Sequence, residues 1–169
     1  MTTAACLLSP ELIAMVDHGV SAIVSSCDAA LRPSIMRAVG SAITPDGRSI
    51  TVYLSRPQCR QLLQDVATTG RIAVVFSEPH SHRAVQVKAS SARTRAAQAA
   101  DQAILQRYLA AMELEIGRIG IDPSFTRSML AHRLEDLVAI SFEPSQAFDQ
   151  TPGPRAGASL STGTPGPAA

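Results

Sequence analysis

Short apolar segments separated by turn residues are the feature that most limits how this chain can fold. Between residues 20 and 91 no such segment exceeds ten residues, and the segments are rich in β-branched side chains, as strands are. Pro45-Asp46-Gly47 is typical of a hairpin turn. Six strands are predicted in all, over residues 20–27, 34–43, 49–54, 71–76, 83–91 and 137–142. Because hairpins and short helices connect them, we expect an α+β domain with a barrel-like antiparallel sheet.

Helices are predicted around and between these strands. Ser9 followed by Pro10 is typical of a helix start, and Gly19 can end that helix in the left-handed conformation. A second helix is predicted to open at Ser55, which has the spacing of a capping box with Gln58. The Ala-rich stretch 96–120 predicts a long helix, and a short one should follow Asp122-Pro123.

Charge and cysteine content limit which partners and which cell compartment we expect for this protein. The net charge is +1 and the chain has no Trp, which argues against nucleic acid or an anionic membrane as a partner. No apolar run is long enough to span a membrane, and the first residues do not resemble a signal peptide. Three cysteines without a CxxC motif favour neither a disulfide framework nor a zinc site. We therefore expect a cytoplasmic protein with no metal site.

The last 19 residues differ in composition from the rest. Residues 151–169 contain four prolines and four glycines and carry few side chains that could be buried. We expect one domain over residues 1–150 and a largely disordered tail over residues 151–169, of which residues 151–155 could still dock on the domain.

A phosphate site is the chemistry that the residues favour most. Arg37 lies on the predicted second strand, and Ser55, Arg56 and Arg60 follow the third. A helix that opened at Ser55 would offer free backbone N–H groups, and guanidinium groups fit phosphate oxygens. The alternative is that Ser55 only caps its helix and the arginines are solvated.

Residues 32–76, from RPSIMRAVG to RIAVVF, resemble the FMN-binding core of the pyridoxamine 5′-phosphate oxidase family, and residues 83–89 (RAVQVKA) resemble a further strand of it. The resemblance implies a six-stranded split β-barrel with flanking helices, a homodimer, and FMN at the subunit interface. It implies that Arg37 grips the FMN phosphate and that the backbone of Ala38 and Val39 lies along the isoalloxazine.

The same resemblance implies phosphate-loop roles for Ser55 and Arg56. Where the family has a lysine after this Ser-Arg pair the chain has Pro57, and Arg60 could replace the lost charge. Gln86 lies two residues from the position of the family's flavin-contacting glutamine, and Tyr53 either flanks the flavin or packs in the core.

The resemblance does not extend to the oxidase's substrate-binding residues. The C-terminal Trp and the Arg-Leu-His-Asp-Arg segment of the true oxidase are absent, so pyridoxamine phosphate is not the expected substrate. The sequence predicts an FMN-dependent oxidoreductase of unknown substrate, with catalytic residues unassigned.

Alternatives to that function remain open. The chain could be a non-catalytic flavin- or haem-binding dimeric module, or it could use deazaflavin F420. His80 and His82 could bind haem or lie in a solvated loop, and Cys59 could be reactive or packed.

Overall fold

The computed structural model describes residues 7–160, which form two antiparallel sheets and four α-helices. The strands are β1 (Ser21–Cys27), β2 (Pro33–Arg37), β3 (Gly40–Ile43), β4 (Ile50–Ser55), β5 (Ile72–Ser77), β6 (Ala84–Ala89), β7 (Arg93–Ala96), β8 (Leu137–Phe142) and β9 (Gln146–Asp149). One sheet has the order β2-β1-β5-β6-β9 and the other β3-β4-β8-β7. The predicted α+β class and antiparallel sheet are confirmed.

The helices are α1 (Pro10–His18), α2 (Arg60–Thr69), α3 (Gln102–Gly117) and α4 (Pro123–Met129). The predicted caps of α1 are present: the Ser9 hydroxyl accepts a hydrogen bond from the Leu12 amide at 3.3 Å, and Gly19 has a φ of 87°. Within residues 7–160 no helix is long and apolar enough to cross a membrane.

The predicted second strand, residues 34–43, is in fact two strands in different sheets. β2 pairs with β1, with Arg37 opposite Ile23, whereas β3 pairs with β4, with Gly40 opposite Tyr53. Between them the Ala38 amide donates to the Ala22 carbonyl at 2.9 Å and the Val39 amide donates to the Tyr53 carbonyl at 2.8 Å. These two residues, which we call the crossover, therefore join the sheets.

Two further strands escaped the sequence analysis, so residues 7–160 contain nine strands rather than six. All four residues of β7 are exposed and three of them are polar, because β7 is the edge of its sheet. β9 has only four residues and lies at the edge of the other sheet. Neither has the apolar run by which the six predicted strands were recognised.

The main core lies between the sheets and under α1 and α2. Its fully buried side chains include Val24, Val52, Val74, Phe76 and Ile140. They come from the inward-facing positions of strands in both sheets, where burial alternates along β1 and β5.

A smaller cluster, around Tyr53 and Leu105, packs α3 against β3 and β4. A Cβ atom on Gly40 would lie 2.6 Å from Leu105 Cδ2, so any larger residue here would displace the Leu105 side chain.

The first ten residues of the predicted tail lie against the five-stranded sheet. The Gly157 amide donates to the Asp149 carbonyl at 2.7 Å and the Leu160 amide donates to the Ala147 carbonyl at 2.8 Å. The half-buried Leu160 side chain packs on the main core. Residues 161–169 lie outside the described part of the chain, and a domain boundary after residue 150 stays a prediction.

Candidate functional site

Arg37 is the last residue of β2 and lies just before the crossover. Its side chain is half-buried, and Nη1 donates a hydrogen bond to the Ser21 hydroxyl at 2.9 Å. Within residues 7–160 no carboxylate pairs with it. A half-buried guanidinium without a counter-charge is suited to hold an anion.

The end of β4 lies beside the crossover. Val39 is bonded to Tyr53, and Ser55 is two residues further along β4, so the antiparallel run brings Ser55 next to the Arg37 segment. The Ser55 side chain is half-buried, and its hydroxyl makes no hydrogen bond with any described residue. That hydroxyl is therefore available to a ligand.

Ser55 does not cap a helix, and the predicted capping box with Gln58 is wrong. Ser55 stays in β4, opposite Leu137 of β8, and its backbone is extended. A 3-10 turn over Arg56–Gln58 follows, and α2 begins at Arg60 with Cys59 as its N-cap residue. The helix N-terminus that supported a phosphate site at Ser55 is consequently displaced by four residues.

Arg56 and Arg60 are both exposed on this connection. Neither forms an ion pair with a described residue. Arg37 ends β2, and Arg56 and Arg60 follow the end of β4; all three guanidinium groups lack carboxylate partners among the described residues. The junction of β2, β4 and α2 thus has the donor chemistry of an anion site.

Ala38 and Val39 are buried, and their amides are both used by the crossover. Their N–H groups are therefore not available to a ligand, which limits any ligand contact of this segment to carbonyl oxygens and side chains.

Tyr53 is 1% exposed, and its hydroxyl donates to Asp101 Oδ1 at 2.8 Å. Arg95 holds the same carboxylate with two bonds, of 2.7 Å and 2.8 Å. Burial and the neighbouring Asp101 raise the pKa of Tyr53 to about 12. The Arg95 guanidinium and the Gln98 amide hold the pKa of Asp101 far below its usual range. The hydroxyl is thus engaged in a closed network inside the fold.

The sequence analysis missed Asp101 and Arg95. One signal was available: Asp101 lies three residues after Gln98, and in the structure these two form a capping box at the turn that leads into α3. For Arg95 the sequence held no comparable signal, since β7 was not recognised.

Gln86 lies in β6 on the outer face of the five-stranded sheet. It is opposite Val75 and Phe148, in the row that also contains Ile23 and Arg37. Three strand-to-strand steps separate Gln86 from Arg37, which is about 14 Å. Both residues are on one face, but a small ligand such as phosphate cannot touch both.

His80 and His82 have separate environments. His80 Nδ1 lies 2.6 Å from Oε2 of Glu115, a carboxylate that is 1% exposed and also binds Arg118 at 2.5 Å. His82 is exposed in the same loop and has a φ of 60°. Among the described residues no group of three or more side chains could hold a metal ion.

Cys59 is buried, and burial raises the pKa of its thiol to about 11 although Arg56 opposes the shift. This environment favours the packed alternative over the reactive one.

Comparisons with known proteins identify solved structures that have a similar fold. No family model and no curated protein matches the sequence. Among solved structures, HupZ of Group A Streptococcus is similar with a TM-score of 0.53 and 15% identity, over 89% of this chain and 99% of that one.

Two more solved structures are similar to the chain to about the same degree. A candidate pyridoxamine 5′-phosphate oxidase from Lactobacillus delbrueckii has a TM-score of 0.52 and 12% identity, over 83% of this chain and 93% of that one. An F420 reductase has a TM-score of 0.53 and 12% identity, over 79% and 93% respectively. The chain therefore shares the fold of these split-barrel proteins, as the sequence resemblance predicts.

Proposed function

We propose that this protein is an FMN-dependent oxidoreductase that acts as a cytoplasmic homodimer. The observation that carries the proposal is the set of three guanidinium groups without carboxylate partners, those of Arg37, Arg56 and Arg60, at the junction where Ser55 also has an unbonded hydroxyl. The fold neighbours include proteins named as a candidate pyridoxamine 5′-phosphate oxidase and an F420 reductase, which supports a flavin-type ligand.

These residues fit the phosphate of FMN. Arg37, half-buried and fixed by Ser21, would hold it in a defined place, and Ser55 would donate its hydroxyl. Arg56 and Arg60 would add charge from the solvent side, in place of the lysine that Pro57 replaces.

Bound FMN would supply hydride or electron transfer at its own ring, while the protein binds, orients and shields it. The backbone of Ala38 and Val39 would border the ring through carbonyl oxygens, because both amides are used in the fold. Gln86 would contact the ring about 14 Å from the phosphate end of the site. Tyr53 would not touch the flavin; its bond to Asp101 would hold β4 in position beside the site.

A direct test is the near-ultraviolet and visible spectrum of the purified protein, followed by titration of the apoprotein with FMN and, separately, with F420. We expect a flavin spectrum, or micromolar FMN binding at about one per chain, the affinity expected of a specific site. Arg37→Ala with Arg56→Ala should weaken FMN binding at least a hundredfold, since each charged hydrogen bond contributes about 1.5–3 kcal/mol.

The matched control is Arg48→Ala with Arg93→Ala, which removes the same charge at two exposed arginines outside the site. If both double variants bind FMN as tightly as the parent, the assigned phosphate site is wrong. If F420 binds and FMN does not, the cofactor assignment is wrong but the site is retained.

The homodimer is proposed from exposed apolar side chains at one edge of the five-stranded sheet. Leu31 lies just before the edge strand β2 and is 68% exposed, and Ile35 lies within β2 and is 70% exposed. Large exposed apolar patches mark interaction surfaces, and we propose that these two side chains belong to one. Sedimentation velocity should show a dimer that Ile35→Glu converts to a monomer. Leu114→Glu, which alters an equally exposed residue on α3, should leave the dimer intact.

Haem is a second candidate, and His80 is the observation that favours it. The Glu115 carboxylate binds His80 Nδ1 and leaves Nε2 as the ring nitrogen for a ligand, the arrangement usual for metal-binding histidines. Titration with haemin would then give a Soret band that His80→Ala abolishes and His82→Ala retains. Absence of any haem spectrum would remove this candidate.

A further inference from the structure

A cavity of about 500 Å³ opens at the opposite end of the five-stranded sheet from Arg37. It lies around Cys27 at the end of β1, the start of β5 and the end of β6. Arg37 is bonded to Ser21 at the other end of β1, and seven residues of strand span about 20 Å. The cavity is therefore separate from the proposed phosphate site.

Two cations line this cavity, and no carboxylate does so among the described residues. Lys88 is paired with Ala73 in β6 and β5, and Arg71 lies two residues before Ala73 on the same face. Their charged ends diverge, that of Arg71 toward Cys27 on β1 and that of Lys88 toward Phe148 on β9, so they stand on two sides of the cavity. Neither cation forms an ion pair with a described residue. An anion in the cavity would therefore meet positive charge and no carboxylate of the described lining.

Both cations are partly positioned by their neighbours. Lys88 Nζ lies 4.8 Å from the centre of the Phe148 ring, a cation–π contact that keeps the amine at the sheet surface. Arg71 Nη1 lies 4.0 Å from Cys27 Sγ. Neither contact neutralises the charge.

The rest of the lining is short and uncharged. Pro33, Ile72, Ala73 and Ala89 supply an apolar wall. The hydroxyls of three lining serines already donate to backbone carbonyls, so they can only accept from a ligand; these are Ser25, Ser26 and Ser145. The charged donors left for a ligand are Arg71 and Lys88.

We propose that this cavity binds a small organic anion, a carboxylate carried on a compact apolar body. The carboxylate would bind one of the two cations while the other adds positive charge from the far side of the cavity, and the apolar body would cover Ala73 and Pro33. The proposal does not depend on flavin binding, because no residue is shared with the phosphate site.

The test uses benzoate as the probe and calorimetric titration of the full chain without FMN. Benzamide has the same shape without the charge, so we expect it to bind at least tenfold more weakly than benzoate. Arg71→Gln with Lys88→Gln should weaken benzoate binding at least tenfold. Arg48→Gln with Arg93→Gln, which removes the same charge elsewhere, should leave binding unchanged.

Three outcomes would overturn the proposal. They are no benzoate binding at millimolar concentration, equal binding of benzoate and benzamide, and equal loss of binding in both double variants. Thermal melts show whether each variant is folded. If the double variant does not fold, the single variants Arg71→Gln and Lys88→Gln are titrated in its place.

Discussion

The Tyr53 hydroxyl donates to Asp101 Oδ1 at 2.8 Å and so connects the middle of β4 to the turn that precedes α3. Arg95 binds both carboxylate oxygens of Asp101 from the edge strand β7. β4 therefore meets β7 and the turn that follows it, more than 40 residues later in the chain, at one buried carboxylate, and this carboxylate holds α3 in place behind the crossover.

Replacing Asp101 with Ala should destabilise the protein. The substitution leaves the Tyr53 hydroxyl buried without its acceptor and Arg95 without its counter-charge, which together should cost roughly 2–4 kcal/mol of unfolding free energy. Urea unfolding measures this. Glu135→Ala, which removes an exposed carboxylate paired with Arg133, should cost less than about 0.5 kcal/mol. Equal losses in the two variants would show that the buried network does not stabilise the fold.

Asp101 should also contribute to the pH dependence of stability. Its pKa is lowered in the folded state, mainly by Arg95, so the unfolded chain binds its proton more tightly. The stabilisation is therefore fully present above the unfolded value, about 3.9, and is lost as the pH falls further toward the folded pKa. Between pH 5 and pH 2 the parent should lose more stability than Asp101→Asn. Parallel curves for the two proteins would contradict this.

The two described cysteines should differ in reactivity. Burial raises the pKa of Cys59 to about 11, so about one thiol in a thousand is ionised at pH 8 and few reagents can reach it. Cys27 is only half-buried. In a Cys6→Ser background, Ellman's reagent should modify Cys27 at least tenfold faster than Cys59. The two rates are measured separately in chains that also carry Cys59→Ser or Cys27→Ser and so retain one cysteine each. Rapid modification of the chain that retains only Cys59 would contradict the buried placement.

Truncation should separate the docked part of the tail from the rest. A chain that ends at Leu160 keeps the bonds to Ala147 and Asp149, so we expect its melting temperature to match that of the full chain. A chain that ends at Ala156 loses these bonds and the packing of Leu160, at a cost of about 1–2 kcal/mol. Identical melting temperatures for the two truncated chains would show that residues 157–160 add no stability.

The sequence predicts those elements whose apolar pattern is regular. β1, β5 and β8 are found because their apolar runs are continuous or alternate, and α1 because Ser9 and Gly19 mark its ends. β7 was missed because an exposed edge strand needs no apolar residues. The division of residues 34–43 was missed because pairing partners, rather than local preference, decide where that run changes sheets.

The sequence could suggest the residue types of the candidate site but not their placement. Arg37 ends β2, Ser55 ends β4 and Arg56 follows it, and a phosphate at these residues stays a prediction. The role of Ser55 as a cap was wrong because β8 pairs with it and keeps it extended, and a local motif does not reveal a partner more than 80 residues away. The burial of Tyr53 likewise depends on Leu105 of α3, which the strand pattern of β4 does not indicate.

The crossover has a consequence for how the molecule comes apart. Since Ala38 is bonded into one sheet and Val39 into the other, strand β2 cannot detach from its neighbour without pulling on β3, and the reverse also holds. The two sheets should therefore unfold as one cooperative unit. An arginine placed at such a junction keeps its position through the local fraying that affects strand ends elsewhere.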